Sequence, residues 1–273
     1  MKKLLKGFVP MTLAATMVLA ACGEGEEATG DDANGDNGEG GADELTLDEG
    51  TFVYALSGEY RPFSYTDENG ELAGFDVDIG MALAEEMGLE GDPYQITFNS
   101  IILGLQDERY DAIIGSMGIT EERQENVDFS DPYYISGAQV FVRPDSDISG
   151  LEDLNEDTEV AVAEGTTYQT MIEDYTTNVV VYDSDVVALQ ALSQGRHDAV
   201  ITDRLVGLIN IEDAGLEIQT AGELIDVEEM AVAVRNGEEE LLEAINEALA
   251  ALKENGTYEE INSRYFDEDI SQE

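Results

Sequence analysis

The strongest constraint on the fold of this chain is a near-repeat at an offset of 87 residues. Leu105, Arg109, Asp111, Ala112, Ile113 and Ile114 are echoed by Leu192, Arg196, Asp198, Ala199, Val200 and Ile201. Each copy reads as the end of a helix, a tight turn, and a short apolar run of the kind that a parallel sheet buries on both faces. Each run leads into a polar residue, Ser116 in the first copy and Asp203 in the second. The spacing predicts two similar α/β units. Ligands of open α/β sheets collect outside the carboxyl ends of the strands, so Ser116 and Asp203 are candidates to touch a small polar molecule held between two lobes.

A chain of 273 residues accommodates two lobes of roughly 100 residues each. The expected division is a discontinuous first lobe, 45–141 with 232–273, and a second lobe, 142–231. The N-terminus reads differently. Lys2, Lys3 and Lys6 precede an apolar run over 8–21, and Leu19-Ala20-Ala21-Cys22 closes it: a basic region, an apolar region and small residues before a cut, as in a signal peptide over 1–21. This ending resembles the lipobox of bacterial lipoproteins. The resemblance implies that Cys22 carries a lipid that anchors the protein to the membrane on its extracytoplasmic side. Cys22 is the only cysteine, so no disulfide and no thiolate metal cluster can form within the chain.

Residues 22–44 are rich in Gly, Glu, Asp and Asn and hold no aromatic residue. Such a segment buries too little apolar surface to offset its ordering entropy, so a disordered acidic tether is expected. Asp32, Asn34 and Asp36 have calcium-loop spacing, but Asn37 stands where that loop requires glycine. No metal site and no cofactor is therefore expected. The formal net charge of -50 repels nucleic acid and anionic lipid surfaces. It is read here as adaptation to a saline, extracytoplasmic habitat, where screening reduces self-repulsion. Loss of the signal leaves Lys253 as the sole lysine, so each arginine carries weight.

From Leu45 the pattern is globular. Thr51–Leu56 reads as a strand, 67–70 as a hairpin turn, and the segment after Gly74 as a helix with Ile79, Leu83 and Met87 on one face. Further on, 96–98 reads as a strand, Ile101–Gln106 as a helix and 111–115 as a strand. Thr120 is placed to cap a helical turn that carries Arg123. Extended segments at 139–144 and 230–235 are read as two hinge crossings. Between them the pattern predicts strands at 159–163, 179–182 and 199–202 and helices at 166–175 and 186–193. The periodicity of Leu241, Leu242, Ile245, Leu249 and Leu252 predicts a helix capped near Asn236 and stopped by Gly256.

The run Gly74-Phe75-Asp76-Val77-Asp78 before an apolar-periodic helix is one of several motifs of a single kind. The others are Tyr60-Arg61-Pro62-Phe63, Asp111 to Ser116, Ile119 to Arg123, Phe129 to Tyr134, Glu164-Gly165-Thr166-Thr167 and Asp198-Ala199. Together they resemble the family 3 solute-binding proteins, the amino-acid receptors of ATP-driven importers, from about Leu45 to Phe266. The resemblance implies a two-lobed, type II periplasmic-binding-protein-like α/β fold: two open, mostly parallel sheets joined by two hinge crossings. It further implies a monomer that is not an enzyme and that binds a small polar amino acid for an ABC permease and its ATPase.

Residue by residue, the resemblance places Arg123 on the ligand's α-carboxylate, with Ser116, Gly118 through its backbone, and Thr167 completing that anion site. Asp203 accepts the α-ammonium from the opposite lobe. Tyr60 and Phe98 flank the ligand side chain. Ser57 stands where members that bind cationic amino acids carry an acid, and Tyr168 where several carry a shorter polar residue; both weaken a Lys, Arg or His ligand. Glu59 or Glu164 is left open as another source of charge and Arg61 as a partner for an acidic tip, and the reading leans to a polar, uncharged ligand such as glutamine or cystine. Two alternatives stay open at this point. An ectoine-like compatible solute would use the same arginine clamp, and a cyclohexadienyl-dehydratase-like enzyme would need an acid or base in the cleft. The only histidine, His197, falls in a turn before an apolar strand, a place that suits structural filler better than catalysis.

Overall fold

The structure is a computed structural model that describes residues 45–271. The expected signal peptide over 1–21, the lipid-bearing Cys22 and the tether over 22–44 lie outside the described residues.

The chain runs β1 (Thr51–Leu56), β2 (Glu59–Tyr60), β3 (Ser64–Thr66), β4 (Leu72–Ala73), α1 (Phe75–Glu86), β5 (Glu90–Gln95), α2 (Ile101–Gln106), β6 (Ala112–Gly118), α3 (Glu121–Gln124) and β7 (Val127–Val142). It continues with β8 (Val160–Ala163), α4 (Thr167–Ile172), β9 (Val179–Tyr182), α5 (Asp185–Ser193), β10 (Ala199–Asp203), α6 (Arg204–Ala214), β11 (Gln219–Ala221), β12 (Val227–Arg235), α7 (Glu239–Asn255) and α8 (Thr257–Tyr265). Strands β5, β1 and β6 pair in parallel, and β12 and β7 extend that sheet antiparallel. In the second sheet β9, β8 and β10 are parallel, and β7 and β11 complete it antiparallel. The outcome is a bilobed α/β periplasmic-binding-protein-like fold with mixed sheets.

One strand serves both sheets. β7 is 16 residues long; its stretch to Gly137 pairs with β12, and from Ala138 onward it pairs with β10. The chain therefore changes sheets at Gly137 and Ala138, ahead of the extended segment at 139–144. It returns between Ala221 and Val227, ahead of 230–235. The first part of β7 carries Asp128, Asp131 and Pro132, and the register breaks where Pro132 faces Ala231. Those features hide the strand from an apolar-periodicity reading.

The near-repeat has a physical basis. The turns that follow α2 and α5 pass through Glu108 and Gly195, both at positive φ (56° and 74°), and each leads to an aspartate. Asp111 accepts hydrogen bonds from Leu47 N (2.7 Å) and Val53 N (2.8 Å), and Asp198 from Glu159 N (2.9 Å). In each lobe the repeated aspartate thus ties down the backbone at or just before the neighbouring parallel strand.

Several elements differ from the sequence reading. The strand expected at 96–98 is instead β5, whose sequence EGDPYQ has no apolar period; as the sheet's edge strand it tolerates Pro93. Phe98 belongs to a short 3-10 turn, Phe98–Ser100. α6 and α8 form where no helix was predicted. α7 begins after Glu238, and Asn236 does not cap it; its side chain donates to the Glu125 carbonyl.

The entry to α1 shows why the Gly74 motif has its form. The first amides of the helix donate to the Pro62 and Phe63 carbonyls, 3.1 and 2.8 Å away. Gly74 lies so close beneath that loop, at φ 128°, that a Cβ would fall 2.3 Å from the Phe63 carbonyl oxygen. Gly74→Ala is therefore expected to lower stability by about 2–4 kcal/mol, because it combines a backbone collision with a conformation that side chains rarely adopt. Chemical denaturation measures this directly. α1 in turn buries Phe75 in a cluster with Phe63, Tyr133, Tyr134, Tyr258 and Phe266, against which α7 and α8 complete the first lobe.

Candidate ligand-binding site

The carboxyl ends of β1, β6, β8 and β9 converge on one cavity, lined by Ser57, Tyr60, Phe98, Ser116, Gly118, Arg123, Thr167 and Tyr168. Eight of the nine ligand-site residues expected from the sequence are thus brought together, from both sheets. Contacts between the lobes hold the walls close: Asn99 Nδ2 donates to Glu164 (2.7 Å), Arg123 Nη2 to the Gly165 carbonyl (3.2 Å), and Arg61 pairs with Asp213 (3.2 Å). The Arg61 pair is exposed and contributes at most about 1 kcal/mol.

Arg123 is the only cation among the lining residues. Thr120 caps its short helix by accepting from the Arg123 amide (3.1 Å), which fixes the backbone from which the side chain extends. The guanidinium donates to the Gly118 carbonyl (2.8 Å) as well as to Gly165, and lies over the Phe98 ring with 5.5 Å to its centroid. Burial pulls its pKa down, while Glu228 opposes that shift. The planar fork retains donors for a carboxylate.

The other charges around the cavity are acidic: Glu59, Glu164, Asp183, Asp185 and Glu228. Of these, Asp183, Asp185 and Glu228 have no counterpart among the residues singled out from the sequence. Asp185 is buried, accepts from the Thr202 hydroxyl (2.6 Å), and is pushed up to about 6 by desolvation. It opens α5 and reads in sequence as an ordinary first-turn acid. Glu228 arrives on the return strand β12, whose position relative to Arg123 only the long-range strand pairing sets; its Oε1 approaches Gly118, and its charge adds to the rise that burial gives the Tyr168 pKa.

Asp203 is the ninth residue, and it does not line the cavity. It is fully buried at the end of β10, where its Oδ1 caps α6 by accepting from Leu205 N (2.8 Å) and Val206 N (3.2 Å). Its Oδ2 has no partner at hydrogen-bonding geometry, although the Ser136 hydroxyl is near enough to lower the pKa; the buried Tyr134 hydroxyl is also unpartnered. Burial pushes Asp203 up to about 7. Burial first, and the Asp203 charge second, raise the pKa of Tyr60, Tyr134 and Tyr168; Tyr60 and Tyr168 line the cavity. Buried polar atoms without partners are costly and uncommon.

Ser116 lines the cavity at φ 55°, a left-handed conformation unusual for a residue with a side chain. Its hydroxyl donates to Asp76 (2.9 Å), so towards the cavity it offers lone pairs. Tyr60 stacks on Phe63 at 5.6 Å between centroids, and Tyr60 and Phe98 both contribute wall. Ser57 is half-buried and its hydroxyl accepts from Glu59 N (3.2 Å). His197 is far from this chemistry: Glu159 and the Tyr182 hydroxyl hold its two ring nitrogens at the second sheet.

With fold and cavity in view, the comparisons with known proteins give the class. The chain belongs to the bacterial extracellular solute-binding proteins, family 3, whose model matches residues 52–268. It is 33% identical over 238 residues to the L-cystine-binding protein TcyJ of Escherichia coli (strain K12), covering 84% of this chain and 89% of that protein. It is 34% identical over 230 residues to the L-arginine-binding protein of Pseudomonas aeruginosa, covering 79% and 87%. Among solved structures, an ancestral arginine-binding protein bound to glutamine superposes with a TM-score of 0.75 at 37% identity, covering 81% of this chain and 99% of that one. The family and these relatives define a binding protein and not an enzyme.

Proposed function

We propose that this chain is an extracytoplasmic amino-acid receptor that delivers a polar, uncharged amino acid of the glutamine or cystine type to an ABC permease and its ATPase. The observation that carries this reading is a single half-buried guanidinium, Arg123, in a cavity otherwise ringed by acids, which gives a ligand carboxylate one cationic partner and a ligand ammonium acidic surroundings. Arg123 holds the α-carboxylate, with Thr167 at the start of α4 and the Gly118 backbone beside it. The ammonium lies towards Asp203, whose unpartnered Oδ2 and the nearby Tyr134 hydroxyl support this placement. Ser116 moves from the carboxylate end, where the resemblance placed it, to the ammonium end, because a hydroxyl that gives its proton to Asp76 faces the cavity as an acceptor. Tyr60, Phe98 and Tyr168 enclose the side chain, and Ser57 gives its tip a neutral polar neighbour.

The relatives bind cystine or arginine, and the superposed ancestral protein holds glutamine; the absence of an acid at Ser57 favours the uncharged members of that set. Closure of the lobes 45–141 with 232–273 and 142–231 over the zwitterion presents both to the permease. The protein acts as a monomer, with the signal over 1–21 removed, a lipid on Cys22, and 22–44 as tether.

A thermal-shift panel of the twenty amino acids, cystine and ectoine in concentrated salt tests the reading. The melting temperature is expected to rise most with glutamine or cystine, since a ligand that binds only the folded state stabilises it. A largest rise with ectoine would replace the amino-acid reading, one with arginine would overturn the assignment at Ser57, and a flat panel would overturn the receptor itself.

A further inference from the structure

The Gly74 motif contains an acid that ligand contact does not explain. Asp76, on the first turn of α1, is fully buried and points away from solvent into the first lobe. Its Oδ2 accepts from the Ser116 hydroxyl (2.9 Å) and its Oδ1 from the Tyr133 hydroxyl (2.8 Å). The Tyr133 oxygen in turn accepts from the Ser116 backbone N–H (3.0 Å). Three residues from α1, β6 and β7 thus form one closed hydrogen-bonded ring, and only Ser116 of the three reaches the cavity.

This ring specifies both the backbone and the proton of Ser116. A non-glycine residue at φ 55° is held by surroundings that over-determine it, and here two hydrogen bonds from one side do so. A serine hydroxyl has one proton and two lone pairs. With the carboxylate of Asp76 taking the proton, the face turned to the cavity accepts from an N–H donor and repels a carboxylate oxygen. Burial of Asp76, which pushes it up to about 7 against the pull of its two donors, is a standing cost to the fold, and a residue serving packing alone would not require it.

We propose that Asp76 is a positioning residue for ligand recognition: through Ser116 it creates an acceptor for the ammonium of the bound amino acid. The inference rests on the reading of the cavity as an amino-acid site. It assigns the motif's first acid to binding, one shell behind the ligand, with Tyr133 fixing the same serine through its backbone.

A double-mutant cycle separates positioning from general structural support. The purified protein and its Asp76→Ala, Ser116→Ala and doubly substituted forms are titrated by calorimetry with L-glutamine and, should it fail to bind, with L-cystine and L-arginine. Each single substitution is expected to weaken binding by about tenfold. In the Ser116→Ala background, Asp76→Ala is expected to change affinity by less than about twofold, because the serine through which it acts is gone. Equal losses in both backgrounds, or no loss in either, would overturn the positioning role and leave the receptor reading intact. Failure of the unaltered protein to bind all three probes would overturn both. Should Asp76→Ala not fold, Tyr133→Phe keeps the aromatic side chain and the acid but opens the hydrogen-bonded ring by removing the hydroxyl, and the same coupling to Ser116→Ala is required of it.

Discussion

Arg123→Ala is expected to weaken amino-acid binding by at least about 30-fold while the protein still folds. Truncating one partner of a buried, hydrogen-bonded charge pair costs roughly 2–5 kcal/mol, and here no second cation can substitute, since the remaining charged residues lining the cavity are acids. Their repulsion of the incoming carboxylate then goes unopposed. The fold tolerates the change because the Arg123 head group contacts the carbonyls of Gly118, at the end of β6, and of Gly165, in a loop, rather than the core. Arg123→Lys is expected to recover only part of the loss, because an ammonium cannot present the planar fork. Calorimetric titration checks both variants, and an unchanged affinity in Arg123→Ala would remove the carboxylate clamp from the mechanism.

The second large effect is expected at Asp203. Asp203→Asn keeps an oxygen to accept from Leu205 N and Val206 N, so α6 stays capped, but it removes the buried carboxylate towards which the proposed reading directs the ammonium. Affinity is expected to fall by about 30-fold or more, and its pH dependence is expected to flatten. Burial raises the native carboxyl from 3.8 to about 7, so the folded, ligand-free protein holds a proton that the unfolded chain has lost. This group's contribution to stability therefore declines as pH rises from about 4 to about 7 and is constant above that. Asp76, raised to about 7, and Asp185, raised to about 6, act in the same direction. A bound ammonium favours the ionised form of Asp203, so binding releases a proton, and affinity rises by up to about tenfold per pH unit below 7 before levelling. Titrations at pH 5.5 and 7.5 are expected to differ by more than about tenfold in the native protein and by clearly less in Asp203→Asn, where Asp76 and Asp185 are the groups left to titrate in that range. A pH-independent native affinity would place the ammonium elsewhere.

The two-unit organisation was legible before the structure because its signals are local, and most of the residues brought to the cavity were legible through the family motifs that they resemble. The apolar strands of the repeat, the cap at Thr120 and the glycine entry to α1 each depend on residues a few positions apart. The edge strand β5 was not legible, since half its neighbours are solvent and its composition need not be apolar. α6 was obscured because β10 runs directly into it through Asp203, and the same aspartate that looks like a strand-end ligand contact is also the cap of the next helix.

The sequence by itself determined the two-unit α/β organisation, the strand ends at which a ligand can sit, and Arg123 as the cation available there, because periodicity, turn chemistry and charge are written along the chain. Only the tertiary structure decided where β7 passes from one sheet to the other, that Asp185 and Glu228 join the cavity, and that Asp76 and Tyr133 close a ring on Ser116. Those outcomes depend on which distant segments are buried together, and in a low-dielectric interior it is the partner found there that sets whether an oxygen donates, accepts or holds its proton.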